Sequence, residues 1–150
     1  MVYRVIGLMS GSSLDGLDIT YVMLEETEGK WNYEIIKADC YKYNESWKTR
    51  LMDAVNLPAL DYNLLHAEYG HYLGKEVNRF ITENALEHKV GFIASHGHTT
   101  FHLPAKQMTH QLGDGAAIAA ETGLPVITDL RALDVALDGQ GAPIVPIGEK

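Results

Sequence analysis

The sequence predicts a single α/β domain, a mixed sheet with N-terminal antiparallel hairpins and flanking helices, and three observations carry that prediction. Residues 2–43 fall into three strand-like runs separated by short turns. Residues 61–88 carry apolar positions three and four apart, the spacing of a helix with one buried face. Residues 90–95, VGFIAS, then form a short apolar run of the kind found in buried strands. At 150 residues the chain is long enough for a real core, since a domain of this size buries about 70% of its unfolded surface.

The elements follow in order. Residues 2–9 are apolar, β-branched at Val2, Val5 and Ile6, and end at a glycine- and serine-rich turn, which predicts a buried strand. In residues 17–24, Leu17, Ile19, Tyr21 and Met23 alternate with Asp18, Thr20, Val22 and Leu24, a period-2 pattern with one wholly apolar face. Residues 25–30 read as a hairpin loop, and residues 31–43 return to strand through Trp31, Tyr33, Ile35, Ile36 and Tyr41. Ser46 is placed to cap a short helix carrying Trp47, Leu51 and Val55, with Pro58 beyond it. Asp61 is the expected cap of the longer helix, whose buried face would be Leu65, Tyr69, Leu73, Val77, Phe80 and Ile81. After the strand at 90–95, residues 115–122 read as a short helix closed by Gly123, and residues 124–128 as another buried strand running into Asp129. Residues 139–146, GQGAPIVP, place two glycines and two prolines where a self-contained domain would close its last element, so the chain reads as stopping early.

Composition removes several classes. Apolar residues at 46% and charged residues at 21% are an ordinary globular balance. A net charge of -8, from 20 acidic against 12 basic residues, offers no basic surface to nucleic acid or to anionic lipid, so neither nucleic acid nor membrane is an expected partner. The single cysteine, Cys40, excludes an internal disulfide and fits a reducing, cytoplasmic setting. The apolar run 5–9 is too short for a secretory signal core or a bilayer span, and no repeat or low-complexity segment is present.

Three segments can carry chemistry. In MSGSSLDGLD, residues 9–18, Gly11 and Gly16, with Gly7 just before them, permit close backbone approach while Ser10, Ser12 and Ser13 add hydroxyls beside backbone N–H groups, so the turn can cradle phosphate oxygens. It is not a P-loop, because GxxxxGK[ST] is absent and a strand follows. Asp15 and Asp18 would repel bare phosphate and should face Mg²⁺, its water or a backbone N–H; the plain alternative is an ordinary hairpin loop. His96, His98, His102 and His110 crowd a second segment. His96 and His98 would share one side of an extended strand and His102 is able to join them, which leaves a three-histidine zinc site open beside a sugar-binding strand end; His66, His71 and His88 read as structural. Asp129, Arg131 and Asp134 follow a buried strand, where they face a cleft or form a surface ion pair.

Taken together, GLMSGSSLDGLD, SHGHTTFH, QLGDGAAIA and DLRALDVALDGQGAPIVP, in this order from Gly7 to Pro146, resemble the anhydro-N-acetylmuramic acid kinases. The resemblance implies a ribonuclease H-like lobe of the two-lobed actin-like ATPase fold shared by actin, hexokinase and the heat-shock chaperones. It implies an ATP- and Mg²⁺-dependent kinase that opens the 1,6-anhydro ring of a recycled murein amino sugar with water and phosphorylates O6. By resemblance, Gly11, Ser12, Ser13, Leu14, Asp15, Gly16, Leu17 and Asp18 form the ATP phosphate loop. Ser95, His96, Gly97, His98, Thr99, Arg131, Gly139, Gln140 and Gly141 lie at the sugar side, with no resident protein-held metal cluster implied. His98 stands for the glutamine of SHGQT, Ser12 for the threonine of GTSLDG, and residues 130–133 depart from FRRR. The family's general-base aspartate lies in a segment of the type FDxGPGN, which these 150 residues do not contain, so it is expected C-terminal to Lys150 with the second lobe. The expectation is therefore an N-terminal lobe, inactive alone, whose exposed apolar surface brings self-association, weak stability or partial disorder near residues 139–150. A homodimer is the candidate oligomer of the full-length enzyme, and the rival functions are a non-catalytic sugar- or nucleotide-binding module and a histidine-ligated metalloenzyme.

Overall fold

The computed structural model describes residues 1–144. Strands β1 (Val2–Ser10), β2 (Gly16–Thr27) and β3 (Lys30–Lys42) form an antiparallel meander at the N-terminus. Helices α1 (Glu45–Met52) and α2 (Ala59–Glu83) follow, then β4 (Phe92–Leu103), β5 (Met108–Leu112), α3 (Gly115–Thr122), β6 (Val126–Ile127) and α4 (Ala132–Ala136). The strands make one mixed sheet in the order β3-β2-β1-β4-β5, with β6 also on β4. β1 and β4 are parallel and central, which is the mixed α/β architecture expected from the sequence.

The pleat of β1, β2 and β4 turns Ile6 and Leu8, Leu17, Ile19 and Tyr21, and Ile93 toward the helices. Tyr69, Leu73, Val77 and Phe80 of α2, each fully buried, complete that core. They recur at intervals of three or four, so one stripe of the helix meets the sheet. Gly70 and Gly74, on the same helix, lack the side chains that would collide with Asp114 and Glu121, and this lets α3 lie close against α2.

Several boundaries differ from the sequence expectation for local reasons. Asn44, not Ser46, caps α1, because its side chain accepts from the Trp47 N–H at 2.8 Å; Val55 falls in a separate 3-10 turn after the helix ends. α2 begins at Ala59 behind Pro58, which places Asp61 inside the first turn, and it ends at Glu83 rather than His88, with Ala85 in the left-handed region. β4 starts at Phe92 and runs eight residues past Ser95 to Leu103, through the histidine segment, where it pairs with the polar strand β5. Strand 124–128 shortens to the two residues of β6, and α4 is an additional short helix. Among the described residues no helix is long and apolar enough to cross a membrane. Val145 and Pro146, which complete GQGAPIVP, and the tail to Lys150 lie outside the described residues.

Candidate functional site at the end of the central strands

The turn between β1 and β2 and the middle of β4 meet because these strands are neighbours, with Ser10 opposite His98. Between Leu8 and Ser10 one residue elapses, whereas two elapse between Ser95 and His98, so β4 carries a bulge there. Gly97 occupies it at φ +74°, and a side chain at this position would run into the Leu112 carbonyl.

The bulge separates the two histidines. His98 goes to Ser10, Nδ1 lying 3.2 Å from the hydroxyl. That hydroxyl also reaches a buried pair, Tyr43 and Tyr69, whose oxygens are 2.6 Å apart, so the strand end is held by groups from β4, α2 and the residue after β3. His96 instead takes a hydrogen bond from Arg131, Nε to Nε2 at 2.9 Å. A guanidinium only donates, so Nε2 accepts and the proton sits on Nδ1, where it faces the Gly97 carbonyl at 3.0 Å. Burial, with the Arg131 charge added, holds His96 below the ordinary histidine value. Burial, followed by the proximity of His96, does the same to His98. Both rings are neutral near pH 7.

His102 is exposed on β4 with Nδ1 on the Thr109 hydroxyl, and His110 shares the Tyr62 hydroxyl. The three histidines considered for zinc thus have three different partners, and among the described residues no group of three metal-ligating side chains gathers. Of the two alternatives for Arg131, the ion pair with an aspartate does not form among the described residues. Besides His96, Arg131 donates from Nη1 to the Gly141 carbonyl at 2.6 Å. Among the described residues its Nη2 has no acceptor. Asp134 accepts the Gly141 N–H at 2.7 Å, and Asp129 turns to a separate polar cavity beside His66 and Thr128.

These groups enclose a cavity of about 220 Å³ lined by Met9, Ser10, Gly11, Ser12, His96, His98, Thr99 and Arg131. Through Met9 and His96 it adjoins a more apolar hollow of about 370 Å³ on the sheet face away from α2, where Asp18, Thr20 and Leu130 also line the wall. Phosphate-side and sugar-side candidates therefore share one cleft. Ser13 and Asp15 are exposed in the same turn. Leu14, Leu17 and Ser95 do not reach the cleft; they are buried, because the pleat and a left-handed turn at Leu14 direct them into the core, where the Ser95 hydroxyl has no partner among the described residues. Gly16 is also buried, packed against the Tyr41 carbonyl and leaving no room for a side chain. Gly139 and Gly141 pack on Asp134 and Arg131 beside α4 and Gln140 is exposed, and none of the three lines either cavity.

Tyr43 and Tyr69 support the site without having been assigned a role there from sequence, whereas Met9 and Ser10 lay in the turn motif and Asp134 was named beside Arg131. Asp134 carried a signal, since it stands three residues after Arg131 and thus on the same side of a helical turn. The two tyrosines carried none beyond their apolar faces.

Comparison with known proteins joins these observations. A family model described as anhydro-N-acetylmuramic acid kinase matches residues 3–150. A protein of that name from Paramagnetospirillum magneticum is 38% identical over 149 residues, covering 95% of this chain and 39% of the relative. One from Brucella canis is 38% identical over 160 residues, covering 95% and 40%, and one from Rhodopseudomonas palustris is 36% identical over 157, covering 98% and 42%. The chain spans about two fifths of the length of these curated relatives.

Proposed function

The chain belongs to the anhydro-N-acetylmuramic acid kinase family, and from that premise we propose that its 150 residues supply the phosphate-gripping, sugar-facing lobe of an ATP-dependent amino-sugar kinase. The reaction would cleave a 1,6-anhydro ring with water and transfer the γ-phosphoryl group of ATP to the freed O6, a step of murein recycling in the cytoplasm. The observation that supports this is the shared cavity, in which the hairpin residues Gly11 and Ser12 face His98, Thr99 and the His96–Arg131 pair.

The residues present fit the groups such a reaction needs. Among the described residues the N–H groups of Ser12 and Ser13 have no protein acceptor, and both hydroxyls are exposed, so the turn offers donors to phosphate oxygens. Asp15 and Asp18 would hold a water-shelled Mg²⁺, which binds through one or two carboxylates plus phosphate oxygens. That ion neutralises phosphate charge during transfer. His96 fixes the Arg131 guanidinium while remaining uncharged, so it does not compete for an anion, and the unpartnered Nη2 is left to orient a polar or anionic group of the sugar. His98 and Thr99 offer an imidazole and a hydroxyl to sugar oxygens. We assign the water-activating aspartate to a segment C-terminal to Lys150, on a second lobe that carries the adenosine site.

Positioning and proton abstraction are then divided between lobes, and phosphoryl transfer depends on both. Incubated with ATP, Mg²⁺ and 1,6-anhydro-N-acetylmuramic acid, the 150 residues alone are expected to form no sugar 6-phosphate. Product in amounts stoichiometric with the protein, detected by mass spectrometry, would contradict the division of labour.

A further inference from the structure

We propose that Asp134 is a positioning residue for Arg131, acting through the backbone of Gly141; the functional importance of this rests on the reading of Arg131 as a cleft residue. Arg131 and Asp134 grip the same residue from opposite ends. Arg131 Nη1 donates to the Gly141 carbonyl at 2.6 Å while Asp134 Oδ2 accepts the Gly141 N–H at 2.7 Å. The Gly139 N–H donates to the Asp134 backbone carbonyl at 2.7 Å, which closes the loop back onto α4.

The two glycines make the grip possible. The Asp134 carboxylate occupies the space that a side chain on Gly139 would need, with the nearer oxygens inside any tolerable contact distance. Gly141 sits at φ +61°, and a Cβ there would lie 2.5 Å from the Val135 side chain. With Gly141 fixed at its N–H by a charge-assisted bond, its carbonyl becomes a fixed acceptor for Nη1. Two acceptors, His96 Nε2 and Gly141 O, then define the plane of the guanidinium, and a plane fixed on two edges points Nη2 in one direction. Without Asp134 the Gly141 carbonyl is free to move, and His96 alone does not set that direction.

The readout is the Arg131 Nε–H signal, together with the His96 ring nitrogens, in the 15N-labelled chain without any ligand. Wild type should show a slowly exchanging Nε–H and a His96 protonated on Nδ1. Asp134→Ala should speed Nε–H exchange about tenfold, in line with loss of a supporting hydrogen bond. Gly139→Ala should do the same, because its methyl displaces the carboxylate, and the double variant should show no further change. Asp134→Asn keeps an acceptor for Gly141 and should stay within about twofold of wild type. A folded Asp134→Ala with unchanged exchange, or effects of the two single variants that multiply, would overturn the proposal. If Asp134→Ala does not fold, Gly139→Ala against Asp134→Asn decides: fast exchange only in the former supports the proposal, equal exchange in both overturns it. No sugar or nucleotide enters the assay, so failure here leaves the kinase reading standing, and failure of that reading leaves this result standing.

Discussion

The two faces of the central strands carry different kinds of residue. On the face under α2, Ile6, Ile19 and Ile93 pack against Tyr69, Leu73, Val77 and Phe80, all at 0% exposure. On the other face Gly7, Met9, Asp18, Thr20, Ala94 and His96 border a hollow of about 370 Å³. The same strands thus supply a dry core with one set of alternate residues and an open, largely apolar hollow edged by Asp18, Thr20 and His96 with the next. The pleat teaches why a ligand site on central strands need not weaken the fold, since changing one face leaves the other's packing in place.

The sharpest way to break this contrast is to damage the covered face. Phe80→Ala removes a ring that is fully buried and meets Tyr41 edge-on, and should cost about 3–5 kcal/mol in urea unfolding. A cost below about 1 kcal/mol would show that the covered face is not where stability resides. If that variant fails to fold, Phe80→Leu gives the same test at a smaller loss, about 1–2 kcal/mol.

Between the two faces lie the hydroxyls under the hairpin. Tyr43→Phe removes one member of the Tyr43–Tyr69 pair and leaves the other buried beside Ser10, so a loss of about 1 kcal/mol is expected. No loss would mean that this pair does not anchor the strand end.

The smallest effect is a pH dependence. His66, His96 and His98 are all held below 6.5 by burial. They are neutral in the fold, whereas the unfolded chain takes up protons as soon as pH drops through 6.5. Stability is therefore complete above that pH and falls as pH descends through the folded values. Urea midpoints measured from about pH 7.5 to 5 should decline, and His98→Gln should flatten the decline by removing one titrating ring. A midpoint that rises toward pH 5 would contradict the sign.

The covered face was the legible one. Leu65, Tyr69, Leu73, Val77 and Phe80 announced themselves by spacing, as did the alternation of Leu17, Ile19 and Tyr21, because burial against one neighbour imposes a period on sequence. The open face imposes none. Its residues were found only as motifs, and the direction each side chain takes depends on the Gly97 bulge, which local sequence does not specify. That single extra residue stands between His96 and His98, which line the same cavity but take separate partners. β5 was missed because MTHQL is short and polar, and α4 because five residues are too few to show a helical period. Asn44 and Ser46 are equally good caps by residue type, and the tertiary path of the chain chose between them.

Titrating the 15N-labelled chain with Mg-ATP to about 10 mM, a range that detects millimolar affinity, decides whether the hairpin between β1 and β2 holds nucleotide phosphates at the open-face cleft. Amide shifts are expected to concentrate on Gly11, Ser12, Ser13, Asp15, Gly16 and Asp18, with α2 unaffected. Shifts confined to the polar cavity at the start of α3, around His66, Gly115 and Ala116, or none in the hairpin at that concentration, would contradict it.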